Sequence, residues 1–263
     1  MSCFAQLLFA GLLCSTVQQE GEEPESFQML FEQRASQGKS EEIVGLFRSR
    51  PFEVAYLFDG YLVTWAELEA KGEGLGSAAF EWARKVAKEA DRLFGIKLHR
   101  QQILAAEGWS RKEQERFLLG RNAFSRGRAA QRLRKYKEAK AGYLEALETA
   151  SALGDLLGGA RAEQALGDLA VGGERLDEAL ERHEKARDLL SPFRHPDLLR
   201  SCRALAMIHE SRGEFEQARD NLERMLAASE EAHLGTDTGP VREALVRVCH
   251  AMGDDEAAKK YGG

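Results

Sequence analysis

The sequence predicts an all-α fold, an α-solenoid of antiparallel helix pairs, and three observations carry that reading. A small residue recurs as Ala139, Ala179, Ala218 and Ala258, at intervals of 40, 39 and 40 residues. Self-similarity at a fixed period seldom arises by chance. A large side chain stands three positions before it in Tyr136, Leu176 and Phe215. Tyr143, His183 and Leu222 follow it by four residues, and Ala146, Ala186 and Met225 by three more. Finally, long Ala/Leu/Glu/Arg runs with only five prolines and few β-branched residues favour helix throughout.

The stretch 160–192 shows the unit most clearly. It reads as two short amphipathic helices folded together, with Leu166 and Gly167 facing inward from the first and Ala179, His183 and Ala186 facing back from the second. The spacing Leu-Gly-x-x-Ala, then Ala-x-x-x-His, then a late proline, resembles the tetratricopeptide pattern. The period exceeds the usual repeat of about 34 residues. The surplus falls after the second helix, in SALGDLLGGARA and SPFRHPDLLRS. Long-period repeats with L-G-D-x-x-G-x-A and a junctional H-P-D look like those of kinesin light chains, G-protein-regulator scaffolds and the sensor halves of bacterial CHAT-protease proteins. The resemblance covers roughly residues 117–263. It implies a right-handed superhelix and a protein-interaction scaffold that binds a partner segment in its concave groove. Its alternative is a sensor half regulating a separate effector.

Composition narrows the function classes. A charged content of 30% and an apolar content of 43% suit a folded helical protein. The net charge of −6 gives no bulk attraction to nucleic acid, so basic surface has to be local. Cys3 and Cys14 lie in the leader, while Cys202 and Cys249 fall inside first helices. Without a C-x-x-C motif they read as small buried hydrophobes that stay reduced.

In chain order, 1–17 carries an apolar run from Leu7 to Cys14, too short to span a bilayer, which needs about 20 residues. It has signal-peptide length but no preceding Lys or Arg, and the alternative is an N-terminal helix, so export and a cytoplasmic location both stay open. Residues 18–26 form an acidic linker. From 27 to 116 the helical pattern continues while the motif fades. Helices are expected at 27–35, at 40–50 with Ser40 as N-cap, at 51–71 with Pro51 in the first turn, within 72–95 after a glycine turn near 72–76, and at 98–109. The stretch 51–95 reads as a divergent first repeat. Gly72, Gly74 and Gly76 have neither a preceding strand nor phosphate-loop spacing and read as a turn between helices. Ser110 and Glu113 form a capping box before the helix 111–132.

Sites for chemistry are missing from the pattern. None of the six histidines belongs to H-E-x-x-H, and there is no G-x-S-x-G or Walker loop. His183 and His209 hold packing positions of the repeat. The expectation is a non-enzyme without metal or cofactor.

The resemblance places partner contacts at positions 2, 5, 9 and 12 of each first helix. Those are Arg121, Phe124, Arg128 and Gln131; Arg161, Gln164, Asp168 and Val171; Arg200, Arg203, Met207 and Glu210; and Pro240, Glu243, Arg247 and His250. Position 2 is arginine in three consecutive repeats. A wall of guanidinium groups points to a protein or peptide partner bearing carboxylates, held by bidentate contacts. The competing expectation is that these arginines pair with glutamates of adjacent second helices. Nucleic acid is disfavoured because no aromatic stacking platform accompanies the basic run.

Overall fold

The computed structural model describes residues 26–72, 76–95, 97–193, 195–231 and 237–262. The signal-peptide reading of 1–17, the acidic linker up to residue 25, Cys3, Cys14 and the middle of the glycine turn at 73–75 lie outside the described residues. Within them the chain forms thirteen α-helices and no strand. These are α1 (Phe27–Ser36), α2 (Ser40–Ser49), α3 (Pro51–Lys71), α4 (Gly76–Phe94), α5 (Leu98–Glu107), α6 (Arg111–Arg132), α7 (Tyr136–Leu153), α8 (Leu156–Gly172), α9 (Leu176–Leu190), α10 (Asp197–Ser211), α11 (Phe215–Glu231), α12 (Gly239–Ala251) and α13 (Asp255–Gly262). No helix among the described residues is long and apolar enough to cross a membrane.

Helices pack in consecutive pairs, α3 with α4, α6 with α7, α8 with α9, α10 with α11 and α12 with α13. Each pair from α6 onward rests on the next, α3 packs on α6, and α1 and α2 lean on the first pair. The result is an all-α helical-repeat array. Its period is written in the backbone. Arg134, Glu174, Gly213 and Gly253 all adopt left-handed conformations, with φ of 58°, 57°, 73° and 74°. The next amide in each case bonds the carbonyl five residues back, Lys135 to Ala130, Arg175 to Ala170, Glu214 to His209 and Asp254 to Cys249, every time at 2.9 Å. This Schellman closure satisfies carbonyls that a helix end leaves free and turns the chain back on itself. The marker alanine follows the left-handed residue by five positions and is buried in all four turns.

Close approach explains the small residues. A side chain at Gly142 would meet the Ala123 carbonyl at 2.8 Å and the Gly127 nitrogen at 2.9 Å, so α6 and α7 touch backbone to backbone. At Gly167 it would meet the His183 ring at 2.7 Å, so this histidine fills the space beside the glycine. Burial pushes the His183 pKa down and favours the neutral ring as a packing group.

One local expectation is corrected. Ser40 is the first helical residue and not the cap, a position Lys39 holds; the Ser40 hydroxyl donates to Glu89 instead, at 3.4 Å. The turn expected at the glycines is bounded as read: Gly72 closes α3 with φ of 73° and the next helix begins at Gly76. At Ser110 the Glu113 carboxylate accepts from both the backbone N–H and the hydroxyl, each at 2.7 Å, which lowers its pKa.

The main core does not divide at 116/117. Phe31, Phe47, Phe58 and Leu62 belong to the same buried cluster as Phe117, Leu157, Leu190, Leu198 and Cys202. The N-terminal helices therefore share their apolar interior with the early repeats.

Candidate functional site

The first helices α6, α8, α10 and α12 carry the residues singled out from the sequence, and the structure sorts them into a closed and an open set. Arg121 of α6 is in the closed set, its side chain only 15% exposed. Its Nε donates to Asp59 Oδ1 of α3 at 2.8 Å, while Nη2 stands 2.6 Å from the same oxygen and Nη1 2.6 Å from Asp155 Oδ2 as ion pairs. The guanidinium also lies 4.5 Å from the centre of the Phe117 ring. Burial alone would depress its pKa, but Asp155 and Asp59 outweigh burial and raise it.

Asp155 is the N-cap of α8. Its Oδ1 accepts the Gly158 N–H and the Gln102 amide of α5, both at 2.9 Å, while Oδ2 takes the guanidinium. One carboxylate thus ties α5, α6 and the corner between α7 and α8 together.

Arg161 of α8, 10% exposed, repeats the arrangement one step along. It bonds Asp197 of α10 at 2.9 Å, stands 4.0 Å from Asp59 Oδ2 and covers the Tyr56 ring at 4.7 Å. Burial favours the neutral acid at Asp197, but the Arg161 and His195 charges prevail and hold its pKa below the usual carboxylate range. Gln164 is buried and donates to the Asp197 carbonyl at 2.7 Å and to Ser201 Oγ at 2.9 Å. Arg121, Arg161 and Gln164 are therefore joints between helices and not free contact groups. Their carboxylate partners lie on α3, on α10 and at a helix corner, not on the second helices expected to supply glutamates.

The open set lies farther along the same helices. Arg200, 53% exposed, pairs with Asp168, whose Oδ1 is 3.6 Å from His183. Arg247 holds Glu210 through two nitrogens at 2.7 and 3.1 Å and stays exposed. Phe124 is half-buried, its ring 5.3 Å from that of Tyr143, whose hydroxyl donates to Gln131 at 2.6 Å. Arg128 and Arg203 are exposed, and neither enters an ion pair among the described residues. Met207 stands 40% exposed on α10, one turn beyond Arg203. Burial raises the Tyr143 pKa, against the nearby charges of Arg128, Arg200 and Arg132.

Sequence reasoning missed Asp59, Tyr56, Gln102, His99 and His195. His99 of α5 and His195, at the corner before α10, are both buried, with ring centres 5.3 Å apart. His99 also meets Phe58 edge-on at 4.6 Å. A signal existed for two of the carboxylates, since Asp155 and Asp197 each stand where a first helix begins. Nothing in the spacing pointed to Asp59, which lies outside the sharp repeats. Among the described residues no group of three or more His, Cys, Asp or Glu is placed to hold a metal ion. Cys202 and Cys249 are free and buried, and burial pushes the Cys202 thiol up to about 11.

No protein-family model matches the chain, and no curated protein matches it. Among solved structures, BtubC (BKLC) from P. vanneervenii is similar at a TM-score of 0.50 and 16% identity, over 90% of this chain and 88% of that one. At that identity the likeness is one of fold, and it agrees with a helical-repeat array.

Proposed function

We propose that the chain is a tetratricopeptide-type interaction module that grips a carboxylate-bearing segment of a partner protein on the open part of its first-helix face. Arg128 and Arg203 supply uncommitted guanidinium groups, Arg200 and Arg247 supply exchangeable ones, and Met207 offers an apolar contact. The observation that carries the reading is that Arg128 and Arg203 stand exposed on first helices without an ion pair among the described residues, in a protein of net charge −6. Guanidinium groups suit planar carboxylates because two parallel N–H donors match the two oxygens. Pairing of this kind occurs within the molecule at Arg247 and Glu210.

The test compares the immobilised wild-type chain with Arg128→Glu/Arg203→Glu and with the second-helix control Arg224→Glu, using nuclease-treated lysate. The face variant is expected to lose at least about tenfold in capture, the scale of 1.4 kcal/mol or more for charge-assisted contacts, while the control keeps it. Equal capture by all three proteins contradicts the proposal. Capture that disappears on nuclease treatment would assign the basic face to nucleic acid instead.

A further inference from the structure

We propose that the seat of α5 on the repeat array is an acid-sensitive latch, in which protonation of His99 and His195 unseats α5 from the two helix corners whose Asp155 and Asp197 hold Arg121 and Arg161. The observations are geometric. α5 reaches two successive corners of the array, one through Gln102 to Asp155 before α8, the other through His99 to His195 before α10. His99 is buried with neither ring nitrogen bonded to protein, and its faces are taken by Phe58 and His195. His195 accepts the Asp197 N–H on Nδ1 at 3.1 Å, so the neutral ring carries its proton on Nε2, and that nitrogen is buried without a partner. Gln102 Oε1 and one Arg161 nitrogen are buried and unbonded in the same network. Polar groups left in this state cost free energy that the neutral rings keep small.

Two added protons would change that balance. The surrounding network holds two guanidiniums, Arg121 and Arg161, and three carboxylates, Asp59, Asp155 and Asp197, each already engaged with a guanidinium. Two imidazolium rings 5.3 Å apart would repel each other and Arg161, with only Asp197 acting in their favour. Desolvation is the largest influence on both rings. It pushes His195 down to about 4, and His99 well below its ordinary value with help from His195 and Arg161. Because both folded-state values lie below the free value, the seated form binds fewer protons than the released form. Its stability is complete above about pH 6.5 and falls with pH toward about 4.

The latch is measured without any partner, so its failure and that of the binding proposal are distinguishable; only the consequence for partner capture rests on that proposal. The experiment is amide hydrogen exchange of the full chain at pH 7.0 and 5.0, with rates corrected for intrinsic exchange. The amides of α5 are expected to lose about 20-fold in protection for each histidine that gains a proton on release, while those of α7 and α9 keep theirs. In His99→Phe/His195→Asn the loss should vanish. Phenylalanine keeps a ring against Phe58, and asparagine keeps an acceptor for the Asp197 N–H. If the double variant fails to fold, His195→Asn alone should show about half the logarithmic effect. Unchanged α5 protection in wild type overturns the latch. So does an equal loss in the variants, or a loss shared by α7 and α9, which would mark global acid unfolding.

Discussion

Asp59 and Arg121 stand 62 residues apart in sequence and 2.6 Å apart in the fold. The same carboxylate lies 4.0 Å from Arg161, so one acid of α3 serves two successive first helices of the array. This relationship divides the arginine wall. Near α3 the guanidinium groups are neutralised internally and buried; farther along, Arg128 and Arg203 remain open. Removing one partner from a buried pair strands the other charge, which is far costlier than losing a surface pair.

The left-handed turns predict two stabilising substitutions. Arg134 and Glu174 hold φ of 58° and 57° where the next two repeats place Gly213 and Gly253. A side chain in this region costs about 1–2 kcal/mol, part of which glycine returns through its greater freedom when unfolded. Glu174→Gly and Arg134→Gly should each stabilise by about 0.5–1 kcal/mol in urea titration. Loss of stability in both would show that their side chains matter more than the backbone.

Glycines on helices should behave oppositely according to their neighbours. Gly60 in α3 has open space where a Cβ would go, so Gly60→Ala should stabilise by about 0.5–1 kcal/mol. Gly142 abuts the backbone of α6, so Gly142→Ala should destabilise by at least about 1–3 kcal/mol through forced separation of two helices. The pair of melting curves checks the α6–α7 contact, and similar shifts for both would contradict it.

Glu178 predicts a modest acid response in the second helices. Lys140 and Arg175 bond it at 2.8 and 2.7 Å and lower its pKa to about 2. Because its folded value is depressed, its contribution is present above the unfolded value near 4.3 and is lost as pH falls toward about 2. The site is open to solvent, so Glu178→Gln should cost less than about 1 kcal/mol at pH 7, and less in high salt. A larger cost that salt leaves unchanged would place this pair in a drier setting than the structure shows.

The repeat was legible because its determinants are local. The marker alanines, the turn positions and the glycine–histidine contact of Gly167 with His183 all lie within one helix pair, so spacing alone exposes them. The arginine positions were legible for the same reason, but their surroundings were not. Arg121 and Arg161 look alike to Arg200 in sequence, yet Asp59 of α3 with Asp155 and Asp197 closes around the first two, and the third stays half-exposed. Part of that difference comes from α3 and α5, which carry no sharp motif and contact residues 53 and 62 positions away. His99 was unreadable on the same grounds, because its neighbour His195 lies two helix pairs downstream.

The division of the wall is tested most directly by a double-mutant cycle on Asp59 and Arg121, with Asp59→Asn, Arg121→Gln and the pair compared in urea titration. The structure predicts a coupling of at least about 1.5 kcal/mol, the scale of a charge-assisted buried contact, with each single change costlier than the pair's additive share. A coupling below about 0.5 kcal/mol, the scale of exposed pairs, would contradict it and return Arg121 to the open face.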